Sequence, residues 1–84
     1  MSDRAYIMIN VPPGLTSSVV NALGQIKAIR TIDPCWGKPD IIVVADVPDQ
    51  DALTQLVLNK IHDIEGVTQT DTHLVYRSLD SKAK

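Results

Sequence analysis

The sequence predicts an α+β sandwich in which a four-stranded antiparallel sheet carries two helices on one face. Three observations predict it. Short β-branched runs alternate with two stretches whose apolar residues recur at helical spacing, in the order strand, helix, strand, strand, helix, strand. Pro and Gly residues punctuate the boundaries between these segments. The 84 residues leave room for one domain only, and the single Cys rules out an internal disulfide.

The first strand is Ala5-Tyr6-Ile7-Met8-Ile9-Asn10-Val11, stopped by Pro12-Pro13-Gly14. Thr16 or Ser17 then offers an N-cap to a helix whose apolar stripe is Val19, Val20, Leu23 and Ile26. Gly24 weakens that helix by about 1 kcal/mol relative to Ala, which hints at close packing. A second strand covers Ile29 to Trp36. Because Pro34 cannot donate to a ladder, this strand belongs at an edge. After the turn Gly37-Lys38-Pro39 comes the third strand, Asp40 to Ala45. Pro48 and Asp49 introduce the second helix, with Asp49 as cap and Asp51 where the helix dipole favours an anion. Its stripe is Leu53, Leu56, Val57, Ile61 and Ile64, and Gly66 ends it. The last strand runs from about Val67 to Tyr76. Residues 1–77 thus form a single domain, and residues 78–84 a polar tail. Two strand–helix–strand units of this kind give a ferredoxin-like βαββαβ sandwich with strand order 4-1-3-2.

Two helices cover only one side of such a sheet, and the other side should then be polar. Here it is not. The first strand presents Ile7, Ile9 and Val11 to one face and Tyr6 and Met8 to the other. The third presents Ile41, Val43 and Ala45 against Ile42 and Val44. A second apolar face built from Tyr6, Met8, Ile42 and Val44 predicts a symmetric dimer packed sheet against sheet. Cover by loops or by the tail is the competing explanation. A domain this small buries only about 60% of its unfolded surface, so association also answers a need for stability.

Composition excludes several functions. The net charge is −2, and the eight Lys and Arg residues are scattered, so no basic stripe for nucleic acid exists. Tyr6 is the only ring on the central strands, where RNA-binding sheets need aromatic stacking platforms. Met1-Ser2-Asp3-Arg4 does not open a signal peptide, and no apolar run approaches the roughly 20 residues of a membrane span. The expectation is a cytoplasmic protein. His62 and His73 lie on different elements and Cys35 has no Cys partner, so neither a metal nor a cofactor is expected. No Gly-rich phosphate loop or nucleophile elbow is present, and the chain reads as a non-enzyme. A small dimeric α+β-barrel enzyme and a ligand-free structural module are the alternatives.

Two segments carry recognition chemistry. Trp36-Gly37-Lys38-Pro39-Asp40 combines the only Trp with a permissive Gly, a cation and a carboxylate. Such a turn can hold an ammonium group on its carboxylate and a carboxylate on its amides, but Gly and Pro also make ordinary turns, and that reading comes first on chemistry alone. On the last strand Thr68, Thr70 and Thr72 share a face, while Asp71 and His73 share the other parity and can contact each other. The threonines fit either a solvated edge or a small polar ligand at a subunit boundary.

Trp36-Gly37-Lys38-Pro39-Asp40-Ile41-Ile42, followed by Ile61-His62-Asp63-Ile64-Glu65-Gly66-Val67 and then Thr70-Asp71-Thr72, resembles the effector-binding domain of Lrp/AsnC (feast/famine) transcription regulators. The shared pattern is a Gly-x-x-Asp hairpin, a Gly-Val and a Thr-x-Thr strand, and the resemblance runs from about Ala5 to Tyr76. It implies a ferredoxin-like module that dimerises through its sheets, builds rings of dimers, and binds a small amino-acid ligand between subunits. By position it implies that Gly37 and Asp40 occupy the hairpin that approaches the ligand, with Asp40 the partner of an α-amino group and Thr70 and Thr72 near the same pocket; Trp36 and Lys38 of the same hairpin complete the expected ligand site. The first strand begins at about Ala5, so the resemblance is to a stand-alone form without the helix-turn-helix. Such a form would act on full-length regulators of the family without touching DNA. Pro39 stands where an aromatic is frequent, and Trp36 where a small residue is usual.

Overall fold

A computed structural model describes residues 3–75. Its elements are β1 (Asp3–Asn10), α1 (Thr16–Leu23), β2 (Ile29–Pro34), β3 (Ile41–Val47), α2 (Gln50–Gln55) continued by a π-helical segment (Leu56–Ile61), and β4 (Gln69–Leu74). The polar tail of residues 78–84 and the end of the last strand at Tyr76 lie outside the described residues.

The strands pair antiparallel in the order β2-β3-β1-β4, the 4-1-3-2 order that the sequence predicts. β2 is an edge strand, and Pro34 closes it opposite Ile41. The strand stops there and does not continue to Trp36, since the chain turns into the hairpin. Alternation on β1 and β3 is strict: Ala5, Ile7, Ile9, Ile41, Val43 and Ala45 have no exposed surface, and Val47 almost none. They meet Val19 and Leu23 of α1 and Ile61, which are equally buried. On the opposite face Tyr6 is 37% exposed, with Met8, Ile42 and Val44 half-buried beside it. The second apolar face is therefore present on the chain and uncovered by its described residues.

Local details depart from expectation at three places. The N-cap of α1 is Leu15, with no side-chain cap; neither Thr16 nor Ser17 takes that role, and the Ser18 hydroxyl donates back to the Leu15 carbonyl at 3.1 Å. Such local hydroxyl bonds compete with capping. Gly24 is the C-cap of α1 and marks no tight contact, because a Cβ there would meet only the carbonyls of Val20 and Asn21 at 3.5 Å.

The second helix is the third departure. Asp49 caps it as expected, accepting from the Ala52 N–H at 2.8 Å. From Leu56, however, the winding loosens, and the His62 N–H reaches the Val57 carbonyl, five residues back. Five residues of ordinary α-helix sweep about 500°, which would carry Ile61 about 140° beyond the azimuth of Leu56. The wider turn brings Ile61 back over the sheet, where it is fully buried along with Leu56. Gly66 follows at φ +104, so close to α1 that a Cβ would sit 3.2 Å from both Leu15 Cδ1 and Val19 Cγ2.

Among the described residues, no helix is long and apolar enough to cross a membrane, and no cluster of three His, Cys, Asp or Glu side chains could hold a metal.

Candidate functional site

The hairpin between β2 and β3 does not project from the sheet; it folds over the end of β1. Gly37 turns it at φ +88, and the Cys35 N–H bonds the Asp40 carbonyl at 2.8 Å. The Asp40 N–H donates to the Ile9 carbonyl at 3.1 Å. Asp40 Oδ2 accepts the Val11 N–H at 2.8 Å and lies 3.3 Å from Lys38 Nζ. The Val11 hydrogen bond, helped by Lys38 and opposed by desolvation, holds the Asp40 carboxyl below its ordinary value. Asp40 thus pins the hairpin to the point where β1 ends.

β4 lies on the other side of β1, and its start is fixed by the same strand end. The Thr68 N–H and hydroxyl both donate to the Asn10 carbonyl at 3.0 Å. Pairing then sets Gln69 opposite Asn10 and Asp71 opposite Met8, on the open face of the sheet. The threonines have the other parity: Thr70 stands opposite Ile9 and Thr72 opposite Ile7, on the side of the helices. Thr70 Oγ1 shares a hydrogen bond of 2.8 Å with His62 Nε2, and so ties β4 to the end of the second helical segment.

Between hairpin and β4 a cleft of about 260 Å³ opens above the end of β1, lined by Met8, Asn10, Lys38, Pro39, Gln69, Thr70 and Asp71. Lys38 lines it from the hairpin and Asp71 from β4; the Lys38 ammonium lies 3.3 Å from Asp40 Oδ2, and the Asp71 carboxylate contacts His73 Nε2 at 3.2 Å. Asn10 Oδ1 is buried with no hydrogen-bond partner. A buried acceptor without a donor is costly, and polar groups left so are filled by water or ligand. A cation, an anion and free amide groups around one small concavity suit a small zwitterion.

Of the ligand-site residues expected from the sequence, Lys38 and Thr70 line this cleft. Gly37 and Asp40 shape the hairpin behind it, and the Asp40 carboxylate is occupied by Val11 and Lys38. Thr72 is half-buried on the helix side, and Trp36 is fully exposed beside Cys35 and Pro34, away from the cleft. Met8, Asn10, Pro39, Gln69 and Asp71 complete the lining, and Asp71 stands there as a carboxylate beyond those expected at the site. The opposite parity of Asp71 and the threonines was the available signal, since only one parity can face the open side.

The chain is similar to known regulators. The Lrp/AsnC ligand binding domain family matches residues 4–83. An uncharacterized HTH-type transcriptional regulator of Pyrococcus abyssi is 27% identical over 71 residues, which is 84% of this chain and 45% of the regulator. The chain therefore spans less than half the length of that relative. Among solved structures, TTHA0845 of Thermus thermophilus superposes with a TM-score of 0.86 at 20% identity, over 94% of this chain and 99% of its own. E. coli AsnC gives 0.86 at 19% identity, over 98% of this chain and 56% of its own. A Neisseria meningitidis transcriptional regulator in complex with L-Met gives 0.82 at 15% identity, over 94% and 53%. At these identities the superpositions establish the shared fold, and the family match extends over nearly every residue. This chain belongs to the Lrp/AsnC ligand-binding domain family.

Proposed function

We propose that the chain is a cytoplasmic, non-enzymatic effector sensor whose cleft takes a small amino acid. The observation that supports this reading is that one cleft of about 260 Å³ is lined by a lysine from the hairpin, Lys38, and a carboxylate from β4, Asp71. Lys38 holds the α-carboxylate and Asp71 the α-ammonium, while Asn10 and Gln69 offer amide groups between them. Asp40 positions the hairpin, and Thr70 buttresses β4 through His62. The complex of the structurally similar Neisseria meningitidis regulator with L-Met supports the ligand class. A second copy, packed on Tyr6, Met8, Ile42 and Val44, forms the dimer and covers the cleft, because Met8 belongs to both surfaces. Ligand binding is then coupled to assembly with itself and with full-length regulators of the family, and the scattered basic residues leave DNA contact to those partners.

Calorimetry with an amino acid, its amide and its deaminated analogue tests the two ends separately. A charge-assisted hydrogen bond is worth about 1.5–3 kcal/mol, or about 10- to 150-fold in affinity. Lys38→Gln should lose that much discrimination against the amide, and Asp71→Asn against the deaminated analogue. Thr72→Val should keep both. Discrimination unchanged in the two charge variants would refute the assignment.

A further inference from the structure

Trp36 and a groove at the far end of the molecule make a second, independent pair of surfaces. Trp36 is the only tryptophan, and its side chain is fully exposed at the hairpin between β2 and β3. The cleft does not use it. At the opposite end of the sheet, a groove of about 450 Å³ has Ala28, Val47, Ala52 and Leu56 in its floor and Lys27 and Lys60 at its margins. Neither lysine has an ion-pair partner among the described residues.

The groove and the tryptophan suit each other in size, polarity and charge. A Trp side chain buries roughly 150–250 Å² and needs an apolar slot. The indole face attracts ammonium groups, so lysines flanking the slot favour an aromatic occupant. Asp33, exposed on β2 three residues before Trp36, adds a carboxylate to the approaching surface, whereas Asp40 is already engaged by Lys38. Within one chain the two cannot meet. β3 runs from the hairpin at Ile41 to the groove at Val47, a span of about 20 Å at the usual strand rise.

We infer that Trp36 of one copy docks into the Lys27–Lys60 groove of a second copy, joining chains head to tail. Made in one direction the contact extends a ring or an open chain, and made reciprocally by two antiparallel copies it closes a pair. It uses neither the open sheet face nor the amino-acid cleft, and it stands if the reading of that cleft fails. A single-anchor contact falls below the area of a stable interface, so it is weak alone and strengthens when a second interface makes it bivalent.

Trp36 fluorescence reads this contact directly, because no other tryptophan contributes. Raising the concentration of the chain from about 1 µM to about 1 mM, the range of a small interface, should move the emission to shorter wavelength. Ala52→Glu should abolish the shift. Lys60→Glu, a surface change, should weaken it and serves if Ala52→Glu does not fold. Trp36→Ala is silent in fluorescence but keeps its groove. Mixing it in excess with Ala52→Glu should restore the shift, since the tryptophan of one variant then meets the intact groove of the other. Emission independent of concentration, an undiminished shift in both groove variants, or a mixture that stays unshifted would overturn the inference.

Discussion

Substituting Gly66 by Ala tests how tightly the second helical segment is seated on α1. Two costs add at this position. The backbone sits at φ +104, where a side chain is strained by about 1–2 kcal/mol. The new Cβ would also lie 3.2 Å from Leu15 Cδ1 and from Val19 Cγ2, and Val19 is fully buried and cannot retreat easily. Overpacking of that kind costs about 1–3 kcal/mol. Together they predict a loss of about 2–5 kcal/mol. Gly37 is the control: its φ is +88, but nothing lies within 4 Å of its Cβ position, so Gly37→Ala carries the strain alone, about 1–2 kcal/mol. For a chain of this size each kcal/mol moves the melting temperature by about 4–8 °C. Paired urea titrations and thermal melts would give both values. A Gly66→Ala penalty equal to or smaller than that of Gly37→Ala would refute the close approach of α1.

Asp40 makes a pH prediction. Its folded pKa lies below the ordinary carboxylate value, so its stabilising contribution is fully present above about pH 4 and is lost as pH falls through the folded value. The urea midpoint of the native chain should therefore exceed that of Asp40→Asn near neutrality, and the gap should close in acid; a gap independent of pH would contradict the Val11 anchor. Val44→Lys tests the open sheet face. Burying a Val is worth about 1.5–3 kcal/mol, so the variant should dissociate the proposed sheet-to-sheet dimer at least about 10-fold more readily in sedimentation velocity, and an unchanged sedimentation coefficient would contradict that dimer.

What the sequence made legible follows from which patterns are local. The period-two alternation of β1 and β3 names both faces of the sheet, because register cannot slip without exposing Ile7, Ile9, Ile41 and Val43 together. Pro34 marks its strand as an edge through a single missing donor. The π-helical segment was not legible, since Val57 and Ile64 fill the azimuths between Leu56 and Ile61, and together with Leu53 the five residues read as one broad α-helical stripe. Only contact with the sheet selects the wider turn. The role of Asp40 was ambiguous for a similar reason: a carboxylate near a strand end can serve a ligand or a backbone amide, and the choice depends on where Val11 lies. Asp71 entered the site through topology. Its importance rests on the hairpin folding over β1 to face β4, a relation between segments about thirty residues apart that no local pattern encodes.

A thermal-shift screen of the native chain against the twenty common amino acids tests the central claim most directly. Binding to the folded state at about ten times Kd contributes about 1.4 kcal/mol, which is a rise of roughly 6–11 °C for a domain of this size. The cleft formed by Lys38, Asn10 and Asp71 predicts such a rise for at least one amino acid, absent in Asp71→Asn. A melting temperature unmoved by all twenty, or a rise that persists undiminished in Asp71→Asn, would contradict it.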